Sequence, residues 1–299
     1  MRLVVLGSAA GGGYPQWNCR CPVCDLYWSN DPRVRRRTQA SLAVSVEGRD
    51  WALLNCSPDI REQIAITPAL SPLGLRQSPI KAVVLTGGEI DQIGGLLSLR
   101  EGAPLDVYGS AEVISSIRRN EVFSVLDPSL VRLVAIRAGL PFQPLPGLDA
   151  VAFEVPGKPP LYREEEEGHG TVRSAHALGL LVRSEAGGDF GFVPNCADID
   201  ERLCRDLASC STLFFDGTVW TDGELVAAGV GRKTGRRMGH VEVPGPDGSM
   251  ERLQLAGAAR RIYIHINNTN PLLIEGSPQR REAEARGWEI AHDGMELLL

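Results

Sequence analysis

The stretch Lys81-Ala-Val-Val-Leu-Thr-Gly-Gly-Glu-Ile-Asp-Gln-Ile-Gly-Gly-Leu96 decides the reading of this chain. It predicts a buried strand ending on Thr86, then a Gly-rich turn, then a helix opening near Ile93. A turn at the carboxyl end of a strand is where α/β sheets place ligands and metals. Glu89, Asp91 and Gln92 lie close enough together on that turn to converge on one cation. Outward from this segment, short β-branched-rich runs recur at 3–6, 42–46, 52–54, 82–85, 151–155, 178–182, 190–193, 213–215 and 262–266. Helical stretches alternate with them. Ser110 caps a helix expected to run to Leu126, Asp200 opens a second, and Ser277-Pro278 starts a third that Gly287 ends. Early strands follow one another as in hairpins, and later ones are separated by helices. That pattern accommodates two packed sheets with helices outside, and also a doubly wound sheet.

With 299 residues, 43% hydrophobic and 23% charged, the chain has the composition of a soluble globule with a sizeable core. It is read as one domain over 1–299. A net charge of −6 without a sustained basic face argues against nucleic-acid binding. The apolar run after Met1 is too short for a signal peptide and no stretch reaches spanning length, so a cytoplasmic protein away from the membrane is expected. The glycines of Gly7-Ser-Ala-Ala-Gly-Gly-Gly13 lack the spacing and Lys-Ser/Thr ending of a nucleotide loop. They are read as letting the backbone approach a ligand or the cysteine loop. The 156–176 segment, with Glu164-Glu-Glu-Glu167 and His169, is read as a mobile acidic surface loop, because adjacent like charges repel.

Seven cysteines, an odd number, fit a reducing compartment. Cys19, Cys21 and Cys24 stand within six residues in a 17–30 loop, a spacing that suits a structural zinc ion. Cys56, Cys196, Cys204 and Cys210 are read as small core residues. Among five histidines two stand out by context. His265 closes a strand ahead of Asn267-Asn268-Thr269-Asn270, and His240 follows Arg236-Arg237. Asp216 ends another strand, where a carboxylate could ligate metal or orient His240 as acid or base. Asp91, Glu89 and His265, with Asp216 or His240, form a mixed His/carboxylate set that suits iron(II) or manganese. The cations Arg33, Arg35, Arg36 and Arg37, and Arg232, Lys233, Arg236 and Arg237, offer a rim for a substrate with several carboxylates.

The 81–96 frame resembles the Thr-His-x-His-x-Asp-His loop of the metallo-β-lactamase superfamily, with Gly87, Glu89 and Gln92 at the histidine positions and Asp91 kept. More specifically, Cys19-x-Cys-x-x-Cys24, Leu96-Leu-Ser-Leu-Arg-Glu101, Asp216-Gly-Thr-Val-Trp-Thr-Asp222, Met238-Gly-His240 and His265-Ile-Asn-Asn-Thr-Asn-Pro271 resemble the coenzyme PQQ biosynthesis protein B family nearly end to end. The resemblance implies a metallo-β-lactamase αββα sandwich of two mixed sheets with helices outside. It implies structural Zn2+ on the cysteine cluster of a homodimer, and an active-site metal, Fe2+ in members that look like oxygenases. The implied task is to hydroxylate the tyrosine ring of a peptide-derived Glu–Tyr precursor of pyrroloquinoline quinone (PQQ), alongside other PQQ biosynthesis proteins. On that basis His265, Asp91, Glu89 and Gln92 are expected as metal ligands. His240 with Asp216 is expected to be catalytic, and Arg236, Arg237, Asn267 and Asn270 to bind substrate. Four positions depart from the pattern: Asn268 stands near the histidine that completes the structural zinc site in related phosphodiesterases, Gln92 replaces a histidine usual in the family, and Asn55 and Asn195 stand where zinc-binding relatives carry aspartates. A carrier for PQQ or its precursor would use the same cleft and bind without turnover. A metal-dependent phosphodiesterase, as in cysteine-containing relatives that resemble the 288–296 tail, needs the histidine-rich loop that is missing.

Overall fold

The computed structural model describes residues 1–167, 172–254 and 257–299. Among these residues the strands are β1 (Arg2–Gly7), β2 (Ser41–Ser45), β3 (Trp51–Leu54), β4 (Ile80–Val84), β5 (Leu105–Ser110), β6 (Val131–Ile136), β7 (Pro141–Leu145), β8 (Leu148–Gly157), β9 (Val172–Ser184), β10 (Asp189–Val193), β11 (Thr212–Asp216), β12 (Arg260–Ile264), β13 (Trp288–Ile290) and β14 (Glu296–Leu298). They form two seven-stranded sheets, ordered β14-β1-β2-β3-β4-β5-β6 and β13-β12-β11-β10-β9-β8-β7. In the first, the pairs from β14 to β3 are antiparallel and those from β3 to β6 parallel. The second repeats this, antiparallel from β7 to β10 and parallel from β10 to β13. The matching halves carry no sequence repeat, because the pairing order rests on hydrophobic pattern rather than on residue identity.

Three apolar layers hold the sheets. Leu3, Val5, Leu42, Leu54, Val84, Leu180, Phe192, Phe214 and Ile264 fill the space between the two sheets. Alternate residues of the same strands point outward, Val4, Leu53 and Val83 under one helical layer and Leu213, Phe215 and Tyr263 under the other. Strands buried on both faces read as continuous apolar runs rather than alternating ones, which is why β4 and β11 were legible. Four layers, helix–sheet–sheet–helix, result.

Ser110 caps the helix Ala111–Arg119 through a hydrogen bond from the Val113 N–H, but the helix ends at Asn120 and a 3₁₀ turn, Glu121–Val125, follows. The Asn120 side chain accepts from the Val122 N–H and restarts the chain in a new direction. Helices Glu201–Leu207 and Pro278–Ala285 stand where their caps predicted. The helix after the Gly-rich turn begins at Ile90, three residues early. Most of the 156–176 segment is not the loop expected. β8 runs to Gly157 and β9 begins at Val172, with the turns Leu161–Arg163 and Glu164–Glu167 between. Glu164 is only 4% exposed, and three cations offset its charge. His169 lies outside the described residues.

Candidate functional site

Parallel strands end at one edge of the sandwich, and the residues just past those ends converge there. Asn55 follows β3, the Gly-rich turn follows β4, Asn195 follows β10, Asp216 ends β11 and His265 follows β12. Asn55 and His265 hold left-handed backbone conformations (φ 62° and 59°), which non-glycine residues adopt rarely and mostly where function or packing requires it.

The centre is a buried knot around Thr218. Its hydroxyl lies 2.6 Å from Asp216 Oδ1, 2.7 Å from His265 Nδ1, 3.1 Å from His240 Nδ1 and 2.8 Å from the His265 carbonyl oxygen. Asp216 is wholly buried, accepts from the Cys196 and Thr218 N–H groups, and sits 2.7 Å from His240 Nδ1. Both imidazoles are therefore fixed through Nδ1 from behind. The rings stack with centroids 5.2 Å apart and planes 26° apart, so their other edges project side by side. His265 Nε2 lies 2.8 Å from Asp91 Oδ2. His240 Nε2 meets no hydrogen-bond partner among the described residues. Burial disfavours the His265 imidazolium, but the Asp91 hydrogen bond and the charges of Asp91, Asp216 and Glu89 outweigh it, and its pKa is raised. Burial likewise disfavours the Asp91 carboxylate, yet the bond to His265 holds its pKa below the ordinary range. Asp91, His240 and His265 line a cleft of about 410 Å³, a size that suits a small molecule.

Gln92 and Glu89 are drawn away from this centre. Gln92 Oε1 accepts from the Glu89 N–H, while Nε2 donates to Asn195 Oδ1 at 2.8 Å and to Thr86 Oγ1 at 3.2 Å. Asn55 Oδ1 accepts from both the Thr86 N–H and its hydroxyl. The residues at the altered positions thus satisfy one another as a neutral lattice. A side chain at Gly87 has no room either, since a Cβ there would sit 2.4 Å from Gln92 Oε1 and 3.0 Å from the His176 carbonyl oxygen. Glu89 Oε1 pairs with Lys158 at 2.7 Å and Oε2 accepts from the Leu161 N–H.

The substrate rim also differs from expectation. Asn267 lines the cleft, but the Asn270 side chain binds the Gly217 carbonyl oxygen and the Leu272 N–H, so it shapes the backbone after β12. Arg236 is exposed outside the cleft wall and Arg237 turns to Glu164 at 3.0 Å. The cations that line the cleft are Lys158 and Lys233. Of the earlier group, Arg33, Arg35 and Arg36 form surface ion pairs, and buried Arg37 donates to Ser8 Oγ and the Ala291 carbonyl oxygen. Thr218 and Lys158 were missed from the sequence. Thr218 stands in the Asp216-Gly-Thr motif, two residues past a strand-end carboxylate, a spacing that lets a hydroxyl fold back on it.

At the far side of the same edge, the three sulfur atoms of Cys19, Cys21 and Cys24 lie within 4.8 Å of one another, all buried. Cys21 caps the helix Pro22–Trp28, which places Cys24 in its first turn. A hydrogen bond between Cys21 and Cys24 raises the pKa of Cys21 and lowers that of Cys24. The Asn268 amide closes the fourth side, its nitrogen 3.2 Å from Cys19 Sγ and 3.3 Å from Cys24 Sγ. Nitrogen and oxygen of an amide exchange places by a flip, so the same side chain can turn an oxygen to this site. Three thiols around one point supply three of the four ligands of a structural zinc site, and Asn268 stands on the fourth side.

Residues 50–266 match the beta-lactamase superfamily domain. Over its full length the chain is 49% identical to the coenzyme PQQ synthesis protein B of Methylobacterium radiotolerans, and 45% identical to that of Xanthomonas oryzae pv. oryzae, each covered end to end. The crystal structure of Zn2+-bound PqqB from Methylobacterium extorquens superposes with a TM-score of 0.97 at 47% identity, covering both chains completely. A diphosphatase of the PhnP family (TM-score 0.69, 21% identity, all of this chain and 97% of the other) shares the fold. The likeness bears out the αββα expectation and the family resemblance. The chain belongs to the coenzyme PQQ synthesis protein B family, within the beta-lactamase superfamily.

Proposed function

We propose that this protein acts in PQQ biosynthesis as an iron- and oxygen-dependent hydroxylase of the tyrosine ring in a peptide-derived Glu–Tyr precursor. The observation that carries this reading is the meeting of His265 Nε2 and Asp91 Oδ2 at 2.8 Å in the cleft, beside a second imidazole that shares its orientation. The donor chemistry fits a divalent ion of intermediate hardness: the His265 imidazole and the Asp91 carboxylate meet in the cleft, with no thiolate among the residues that line it. His265 and Asp91 would hold the ion, and its chemistry when bound would be oxygen activation. Thr218 fixes the His265 ring from behind and Asp216 fixes His240, the arrangement that usually backs a metal-bound or catalytic imidazole. With Nδ1–H donating to Asp216, His240 Nε2 carries a free lone pair toward the cleft, where it accepts the phenol proton of the substrate. The imidazolium so formed is stabilised by Asp216. Anaerobic turnover, or full turnover by His265→Ala, would defeat this reading.

One observation favours a second role for His240. Donor atoms of Asp216, His240 and His265 all lie within 4.8 Å of one another, an alternative ligand set that includes His240 and leaves out Asp91. His240→Gln separates the two. Iron retained with activity lost supports the proton-accepting role, and iron lost supports the ligand role.

A further inference from the structure

We infer that Lys233 is the cation that binds a substrate carboxylate, and that buried Glu164 is its positioning residue. The inference rests on the proposed reaction, whose precursor carries carboxylates, and it names the subsite that would hold one of them. Glu164 gathers three cations: Lys158 at 3.1 Å, Lys233 at 3.3 Å and Arg237 at 3.0 Å. Their hydrogen bonds and charges overcome the cost of burial and hold its pKa at about 2, so it stays ionised at any working pH.

The two lysines that line the cleft differ in what they have left to give. An ammonium has three N–H donors. Lys158 donates to Glu89 Oε1 and the Pro159 carbonyl oxygen and pairs with Glu164 Oε1 at 3.1 Å, and its side chain is only 10% exposed. Its charge is spent on tying the strap after β8 to the turn after β4. Lys233 meets Glu164 alone among the described residues, leaving two donors, and its side chain is 38% exposed at the cleft wall. Lys233 thus stands on the cleft wall with donors to spare, and the Asp91–His265 pair lines the same cleft. A substrate carboxylate seated on Lys233 therefore directs the rest of the molecule toward the imidazoles.

The test is equilibrium binding of PQQ, a tricarboxylate, and of its trimethyl ester, to the full-length wild type, Lys233→Gln, Lys233→Arg and Glu164→Gln. Loss of one charge-assisted contact predicts about tenfold weaker PQQ binding by Lys233→Gln, with recovery of most of it by Lys233→Arg. The melting temperature of Lys233→Gln should be unchanged, and the ester should bind all four proteins equally and weakly. Glu164→Gln should weaken PQQ but leave the ester unaffected, which a merely structural role would not do. Equal PQQ affinity in wild type and Lys233→Gln, equal loss for acid and ester, or no PQQ binding by the wild type would each overturn the assignment. None of these outcomes depends on oxygen or turnover, so the hydroxylase reading fails or stands separately.

Discussion

His265 and Asp91 illustrate how one pair serves two states of the protein. Without metal they form a buried ion pair whose worth depends on pH. Asp91 has a lowered pKa, so its contribution is complete above its ordinary value of about 4 and is lost as pH falls through the folded value. His265 has a raised pKa, so its contribution is complete below about 6.5 and is lost as pH rises through the folded value. In urea titrations, the stability gap between metal-free wild type and metal-free His265→Gln should be widest between about pH 4 and 6.5 and shrink on either side. A gap independent of pH would contradict the pair. Metal must displace the His265 proton, so iron affinity should rise with pH, with proton uptake by the buffer measurable in calorimetry. Behind the pair, Thr218→Val keeps shape but removes the hydroxyl that sits between Asp216, His240 and His265. We expect iron affinity to fall about 10- to 100-fold in a metal titration while the fold survives.

At the scale of the element, the turn after β4 was legible in its position and only partly in its chemistry. Thr86 and Asp91 stand where the sequence put them, and the departures at Asn55, Gln92 and Asn195 were visible as residues. That these three amides bind one another through Thr86 was not legible, because it depends on bringing β3, β4 and β10 to one edge across both sheets. Lys158 and Glu164 were hidden for a related reason: a run of four glutamates reads as solvated until Lys158 and the distant Lys233 and Arg237 fold onto its first member. The lattice predicts that Gln92→Ala destabilises the protein by about 1–3 kcal/mol, since it strands buried partners on Asn195, Thr86 and the Glu89 N–H. Chemical denaturation would measure it. Gln92→His alone should not add a metal equivalent, because Asn55 and Asn195 stay neutral and Gly87 still supplies no side chain.

Across the whole molecule, the sheet edge collects two donor clusters that the sequence separates by hundreds of residues. The segment after β12 serves both: His265 enters the cleft while Asn268, three residues on, closes the cysteine cluster. The cysteine spacing was readable because its ligands are local, whereas Asn268, from the far end of the chain, was placed near the fourth position only through the family resemblance. Cys24→Ser should abolish zinc at that cluster and lower the melting temperature by more than about 5 °C, because metal affinity there adds directly to folding stability. It should also weaken iron binding in the cleft, because the two sites share one backbone segment. Among the described residues no helix is long and apolar enough to cross a membrane. Single turnover of the iron-loaded protein with the Glu–Tyr precursor under ¹⁸O₂ decides between a hydroxylase and a carrier. A hydroxylase yields a hydroxylated tyrosine ring carrying ¹⁸O, with no product under argon. Product formed without oxygen, or tight precursor binding with no product at all, would contradict it and leave a carrier in its place.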